Sequence, residues 1–222
     1  MTYQFDFSAI LDAWPMLLDG CLLTLRMTGI SIVAALAIAL VTIACRRSAF
    51  APLRWLARSF IEIIRNTPFL VQVFFIFFGL PSIGLGLTAG TGAVIALSLN
   101  GGAYFAEVIR GGVDAVDRGQ IEAARALGLT PLQTFRDVVL RPAMRTAYPA
   151  LCSQCVLLLL TSSIVSSISA NELTAIAQRL ESITFRSFEV YISVTLLYLA
   201  MSVLLSALLK GVGRVYFSYP TR

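Results

Sequence analysis

The chain has 222 residues, 58% of them hydrophobic and 13% charged, with a formal net charge of +5 and no histidine. Charged residues make up near a quarter of a soluble domain, so this composition points to an integral membrane protein with room for about five spans of ~20 residues. The positive balance does not read as a nucleic-acid surface, because the arginines are dispersed at the ends of apolar runs instead of forming a patch interleaved with aromatics.

The first twenty residues carry Phe5, Phe7, Ile10, Leu11, Trp14, Leu17 and Leu18, together with Asp6, Asp12 and Asp19 and no Lys or Arg. They predict a short helix at the membrane interface ahead of the first span. Their charge is the opposite of a signal peptide's basic start, and no cleavable signal peptide is evident. The first span is expected at residues 22–45 and stops at Arg46-Arg47. With Arg54 and Arg58 these form a short basic loop, cytoplasmic by the positive-inside rule, which puts the N-terminus outside.

The second span is expected at 57–80, yet its first half holds Glu62, Arg65, Asn66, Thr67 and Pro68. A mid-span proline frees a backbone carbonyl, and Asn66 or Thr67 can satisfy neighbouring polar groups. Glu62 and Arg65, three apart, can pair on one helix face. After an uncharged external turn, the third span, 90–109, contains Asn100, Gly101, Gly102, Tyr104 and Glu107. The paired glycines allow a close helix crossing, while Asn, Tyr and Glu must face protein or water.

The fourth span, 143–169, is rich in polar groups: Ser153, Gln154, Thr161, Ser162, Ser163, Ser166 and Ser167. Hydroxyls can bond their own helix's carbonyls, but seven polar side chains suggest a wet or packed face. A helical external connection, 171–189, leads to the fifth span, 190–209, which ends in Lys210 and Arg214. Of the 17 Lys and Arg residues, thirteen then fall inside, Arg222 among them, and Arg26, Arg179 and Arg186 outside, with Arg65 within a span. That asymmetry predicts an N-out, C-in topology.

Cys21, Cys45, Cys152 and Cys155 lie in or beside apolar segments. Cys152-x2-Cys155 lacks a second pair or any histidine, so no metal centre is expected, and no cofactor. The chain has no G-x4-G-K-[ST] loop to cradle ATP phosphates and no G-x-S-x-G, so it is not expected to be an enzyme.

Between the third and fourth spans lies the one long polar interval, residues 111–142. It reads as helix, turn, helix: Gln120 to Leu127 places Ile121, Ala124, Leu127 and Gly128 on one face. Gly128 suits a left-handed C-cap, Thr130-Pro131 supplies the next N-cap and first turn, and the second piece is expected to end near Pro142. From the residues alone this is either a docking knob for a soluble partner or an ordinary loop with two amphipathic helices.

The spacing Glu122-Ala123-Ala124-x3-Gly128 resembles the cytoplasmic loop of permease subunits of ATP-binding-cassette (ABC) importers. Leu99 to Gly112, Arg118-Gly119-Gln120, and Arg65-Asn66-Thr67-Pro68-Phe69-Leu70-Val71-Gln72 resemble the polar amino acid branch, the histidine, glutamine and glutamate type, and the likeness runs from about residue 19 to about residue 210. It implies an all-α type I ABC importer permease fold, one domain over residues 1–222, with a helix-turn-helix coupling loop at 111–142 seated in a groove of the ATPase. The implied partners are an ABC ATPase, a second permease (identical or different), a periplasmic or extracellular binding protein and membrane lipid, in a bacterial inner membrane.

On this reading Glu122, Ala123, Ala124, Arg125 and Gly128 couple to the ATPase, and Arg65, Asn66, Thr67 and Pro68 form a structural motif. The polar groups expected along the substrate path are Asn100, Tyr104, Gln154, Thr161, Ser162, Ser163 and Gln72. Two departures from the family pattern stand out. Leu160-Thr161-Ser162-Ser163 replaces the usual Lys-Asp-Thr-Ser or Lys-Glu-Thr-Ser, removing a carboxylate and favouring neutral or acidic over cationic amino acids. Leu140-Arg141-Pro142-Ala143 stands where Leu-Pro-Gln-Ala is usual. The alternative reading is a secondary transporter or channel subunit not driven by ATP.

Overall fold

The structure is a computed structural model that describes residues 3–217. Arg222 of the charge count and the first two residues lie outside the described residues. Every regular element in the described chain is helical, in the order α1 (Ser8–Asp12), α2 (Trp14–Arg46), α3 (Ala51–Arg65), α4 (Phe69–Ser82), α5 (Ala89–Asp114), α6 (Arg118–Ala126), α7 (Pro131–Ile168), α8 (Leu173–Thr184) and α9 (Ser187–Phe217). Helices α2, α5, α7 and α9 are long and apolar enough to cross a membrane, and the bent pair α3–α4 makes a fifth span when counted as one.

The separate interface helix expected for the first twenty residues is corrected to a five-residue piece, α1. From Trp14 the chain already belongs to the 33-residue α2, because Pro15 sits in the first turn, where its missing N–H is harmless. Gly20 does not interrupt it. A Cβ there would lie 3.1 Å from the Leu173 Cα, so the glycine marks a close approach of α2 to α8. Residues 3–7 form an arm whose Tyr3 hydroxyl donates to Glu189 Oε2 at 2.5 Å and whose Asp6 N–H donates to Glu189 Oε1 at 3.0 Å. Arg186 adds a bond to the Gln4 carbonyl at 3.0 Å. In the connection before α8, Glu172 is fully buried and accepts from the Ala175 N–H at 2.8 Å and the Tyr198 hydroxyl at 2.6 Å. Burial holds its carboxyl above the ordinary range, against the lowering effect of these bonds.

The span expected at 57–80, with a proline in its first half, is sharply bent: α3 and α4 meet at an angle of 114°. Pro68 cannot donate to the turn before it, and Asn66 has already left helical geometry. Side chains meet the carbonyls at the break, those of Ile63 and Ile64 having lost their backbone donors while that of Glu62 keeps the Asn66 N–H. Asn66 Nδ2 donates to the Glu62 carbonyl at 2.8 Å, Thr67 Oγ1 to that of Ile63 at 2.8 Å, and Gln72 Nε2 to that of Ile64 at 2.7 Å. The expected Glu62–Arg65 pair does not form, since Glu62 accepts from Asn66 and Arg65 reaches Glu107 instead.

The expected second helical piece ending near Pro142 is also corrected. Helix α7 continues from Pro131 through Pro142 to Ile168, with a π-helical stretch at Thr134–Val139 that loosens the hydrogen-bond register just before the proline. The polar interval is therefore mostly an extension of its neighbours, leaving only residues 115–130 outside α5 and α7. At the far end α7 tightens into a 3₁₀ stretch, Ser162–Ile168. Helix α9 likewise starts before residue 190 and runs past Lys210.

Small residues set the crossings. Helix α2 packs along α5 at Gly102, where a Cβ would sit 2.5 Å from Ile38 Cγ2. Helix α7 crosses α5 at Gly112, where a Cβ would lie 2.5 Å from the Ala143 carbonyl oxygen and 2.8 Å from the Ala147 Cβ. Gly111 beside it faces open space. Gly112→Ala should therefore lower stability by about 1–3 kcal/mol through overpacking, whereas Gly111→Ala should be neutral or stabilising by up to about 1 kcal/mol. Thermal unfolding of the two variants in the same detergent checks the contrast.

Candidate functional site: a polar cavity and the hairpin below it

The hairpin joining α5 to α7 is built from short-range signals. Asp117 caps α6 by accepting from the Gly119 N–H at 2.6 Å. Gly128 takes φ +80°, and the following Leu129 N–H returns to the Ala124 carbonyl at 3.1 Å. Thr130 and Gln133 then form a reciprocal capping box, with Pro131 in the first turn of α7. Glu122, Ala123, Arg125 and Gly128 are exposed, while Ala124 is buried.

The expected apolar face of Ile121, Ala124, Leu127 and Gly128 is only partly packed. Helix α6 ends at Ala126, so Leu127 falls beyond its periodicity and is 80% exposed. Leu132, across the turn, is 75% exposed. The hairpin thus presents two leucines beside its charged groups, a pattern that helical spacing alone conceals.

Above the hairpin, α5, α7 and the start of α4 enclose a cavity of about 350 Å³. Asn100, Gly101 and Tyr104 line it from α5, Gln154, Leu157, Leu158, Thr161 and Ile164 from α7, and Thr67 and Phe69 from the α3–α4 break. Four of the expected path residues, Asn100, Tyr104, Gln154 and Thr161, thus meet in one space. Gln72, Ser162 and Ser163 do not line it. Gln72 is buried behind the wall, where its Oε1 accepts from Asn100 Nδ2 at 3.0 Å. Ser162 and Ser163 donate to the carbonyls of Leu159 and Leu160 at 2.6 and 2.8 Å, spending their hydroxyls on their own helix. Thr67, read from sequence as part of a structural motif, lines the cavity as well as capping the break.

The polar lining is neutral throughout: two amides, two threonine hydroxyls and a phenol. A larger, more open groove of about 890 Å³ runs between α7 and α9, edged by Arg145, Lys210 and Arg214, and shares Leu157 with the cavity.

One turn beyond Tyr104, Glu107 gathers three arginines. Arg46 at the end of α2 reaches its Oε1 at 2.5 Å. Arg110 grips both oxygens, at 3.0 and 2.8 Å, and also pairs with Asp114 at 2.5 Å. Arg65 at the end of α3 lies farther, 3.5 Å from Oε2, with its guanidinium carbon 5.6 Å from the centroid of the Tyr104 ring. Arg47 stands 5.8 Å over the Phe135 ring, linking α2 to the start of α7. Guanidinium groups thus fasten three helix ends beside the hairpin.

Comparison with known proteins agrees with this architecture. Residues 31–215 match the family described as binding-protein-dependent transport system inner membrane component. The chain is 36% identical over 213 residues to a glutamine transport system permease protein of Escherichia coli (strain K12), covering 95% of this chain and 97% of that protein. It is 33% identical over 210 residues to an arginine transport system permease protein of Bacillus subtilis (strain 168), covering 94% and 96%. A crystal structure of an amino acid ABC transporter with histidines superposes with a TM-score of 0.89 at 37% identity, over 96% of this chain and 99% of that one. The chain therefore belongs to the family of binding-protein-dependent transport system inner membrane components, as an all-helical permease subunit with the type I ABC importer fold.

Proposed function

We propose that the chain forms, with a second permease, the translocation path for a polar amino acid in an ATP-driven importer, and that neutral or acidic amino acids are favoured over cationic ones. Amino acids are named for its relatives, which include glutamine and arginine permeases. The observation that carries the substrate preference is the neutral lining of the cavity, with Thr161 where the resemblance would place a carboxylate. An ammonium and a carboxylate stripped of water need acceptors and donors, which Asn100, Gln154 and Thr161 supply without adding charge. A second cationic side-chain charge would find no counter-charge among the lining residues.

Coupling follows from connectivity. Helices α5 and α7 both line the cavity and both run into the hairpin that holds Glu122, Arg125 and Gly128. A hairpin seated in an ATPase groove would act as a lever on two walls of the same cavity. The charged Glu122 and Arg125 and the protruding Leu127 and Leu132 supply the contact surface. Substrate arrives from a soluble binding protein at the opposite end. The N-out, C-in topology, in a bacterial inner membrane, is supported by the crowding of Arg46, Arg47, Arg110 and Lys210 towards the hairpin end. A single bundle of this size encloses only a small cavity, which is why a second permease belongs to the reading.

Glu122→Lys should insert normally yet reduce copurification with the ATPase and substrate-stimulated ATP hydrolysis by roughly tenfold or more. Wild-type coupling in that variant would refute the docking role, and solute flux in the absence of any ATPase would favour a channel or secondary transporter. Thr161→Asp should raise uptake of L-arginine relative to L-glutamine by roughly tenfold, one well-placed charge pair. Competition uptake in proteoliposomes measures that ratio, and an unchanged ratio would remove Thr161 from the path.

A further inference from the structure

The amino acid proposed to cross the cavity carries a carboxylate, yet the cavity's own lining holds no cation. Arg65 is a cation in contact with that lining: its guanidinium lies over the ring of Tyr104, and Thr67 and Phe69, just after it, line the cavity. Along α5, Asn100, Tyr104 and Glu107 follow one another at spacings of four and three, on one helix face. Any route from the cavity towards the hairpin end along this face passes Tyr104 and meets the Arg65–Glu107 pair next.

The Arg65–Glu107 contact is the loosest in the cluster. Glu107 holds Arg46 at 2.5 Å and Arg110 through two bonds at 3.0 and 2.8 Å, so the 3.5 Å contact to Arg65 is the longest of the three. Breaking a buried ion pair is costly chiefly when it strands a charge. Here Glu107 would keep two arginines after Arg65 left, and the Arg65 side chain, 41% exposed, is not sealed in. Its planar fork matches a carboxylate with two parallel bonds.

We propose that Arg65 is a specificity-determining residue of the transport path: at the rim of the cavity its guanidinium exchanges the carboxylate of Glu107 for the carboxylate of the passing amino acid. The step is an exchange of ion-pair partners, with no proton or covalent bond transferred. It rests on the amino acid reading above, which is why its test compares each amino acid with a form lacking only the carboxylate charge.

The experiment uses the permease–ATPase complex in detergent without binding protein, so that discrimination belongs to the membrane path. Equilibrium binding is measured for L-glutamine, L-glutamate and L-arginine and for their α-carboxamides. The wild type should prefer at least one amino acid over its amide by roughly tenfold, Arg65→Gln should bring the two within about threefold, and Arg65→Lys should retain part of the preference. Glu107→Gln removes the competing carboxylate and should leave that preference intact or increase it. An Arg65→Gln complex that still discriminates like the wild type overturns the proposal. Where Arg65→Gln fails to assemble, Arg65→Lys and Glu107→Gln decide: a preference unchanged in the first and lost in the second overturns it. A wild-type complex that binds none of these compounds overturns the amino acid reading itself, and this proposal with it.

Discussion

Hydrocarbon offers no partner to a stranded peptide group, and the arrangement of this permease depends on how one break in a helix meets that constraint. Between α3 and α4 the chain turns through 114°, and the carbonyls of Ile63 and Ile64 are taken up by the side chains of Thr67 and Gln72. Those same side chains then do more than repair. Thr67 faces the cavity, and Gln72 accepts from Asn100, which fixes the amide of a lining residue on α5. The bend also delivers Arg65 to the ring of Tyr104. A local backbone problem is thus solved by groups that also furnish one side of the site.

The other two sides come from α5 and α7, and their relation is set by close contact. Gly112 lets the Ala143 turn of α7 approach the backbone of α5 just where both helices leave for the hairpin. A crossing this tight transmits displacement instead of absorbing it, because packed interiors have little free volume. The arginines around Glu107 add a polar fastening at the same level, joining α2, α3 and α5. Hairpin, crossing and cavity therefore form a continuous stack along two helices.

Much of this was legible from residues whose signals are local. Gly128, Thr130 and Pro131 announce the hairpin turn because left-handed geometry and capping need particular residue types at particular offsets. Asn100, Tyr104, Gln154 and Thr161 stand out as polar groups on apolar helices, and the structure gathers them into one cavity. Ser162 and Ser163 looked equivalent in sequence but bond their own helix, a choice made by the 3₁₀ tightening that no composition reveals. Helical spacing puts Leu127 on one face with Ile121 and Ala124, but α6 ends at Ala126 and leaves it exposed. The ring of arginines around Glu107 joins residues 61 positions apart, as in Arg46 with Glu107, so it depends on tertiary placement alone. Pro68 signals a disturbance, but the 114° turn is visible only in the structure.

The clasp between the N-terminal arm and Glu189 has a consequence for biogenesis. Tyr3 and Glu189 are 186 positions apart, so that clasp cannot close until the chain has been made through the first turn of α9. Until then the arm that carries Phe5 and Phe7 lacks its anchor on Glu189, which α9 supplies. A nascent chain arrested before α9 would therefore lack the fastening of residues 3–7.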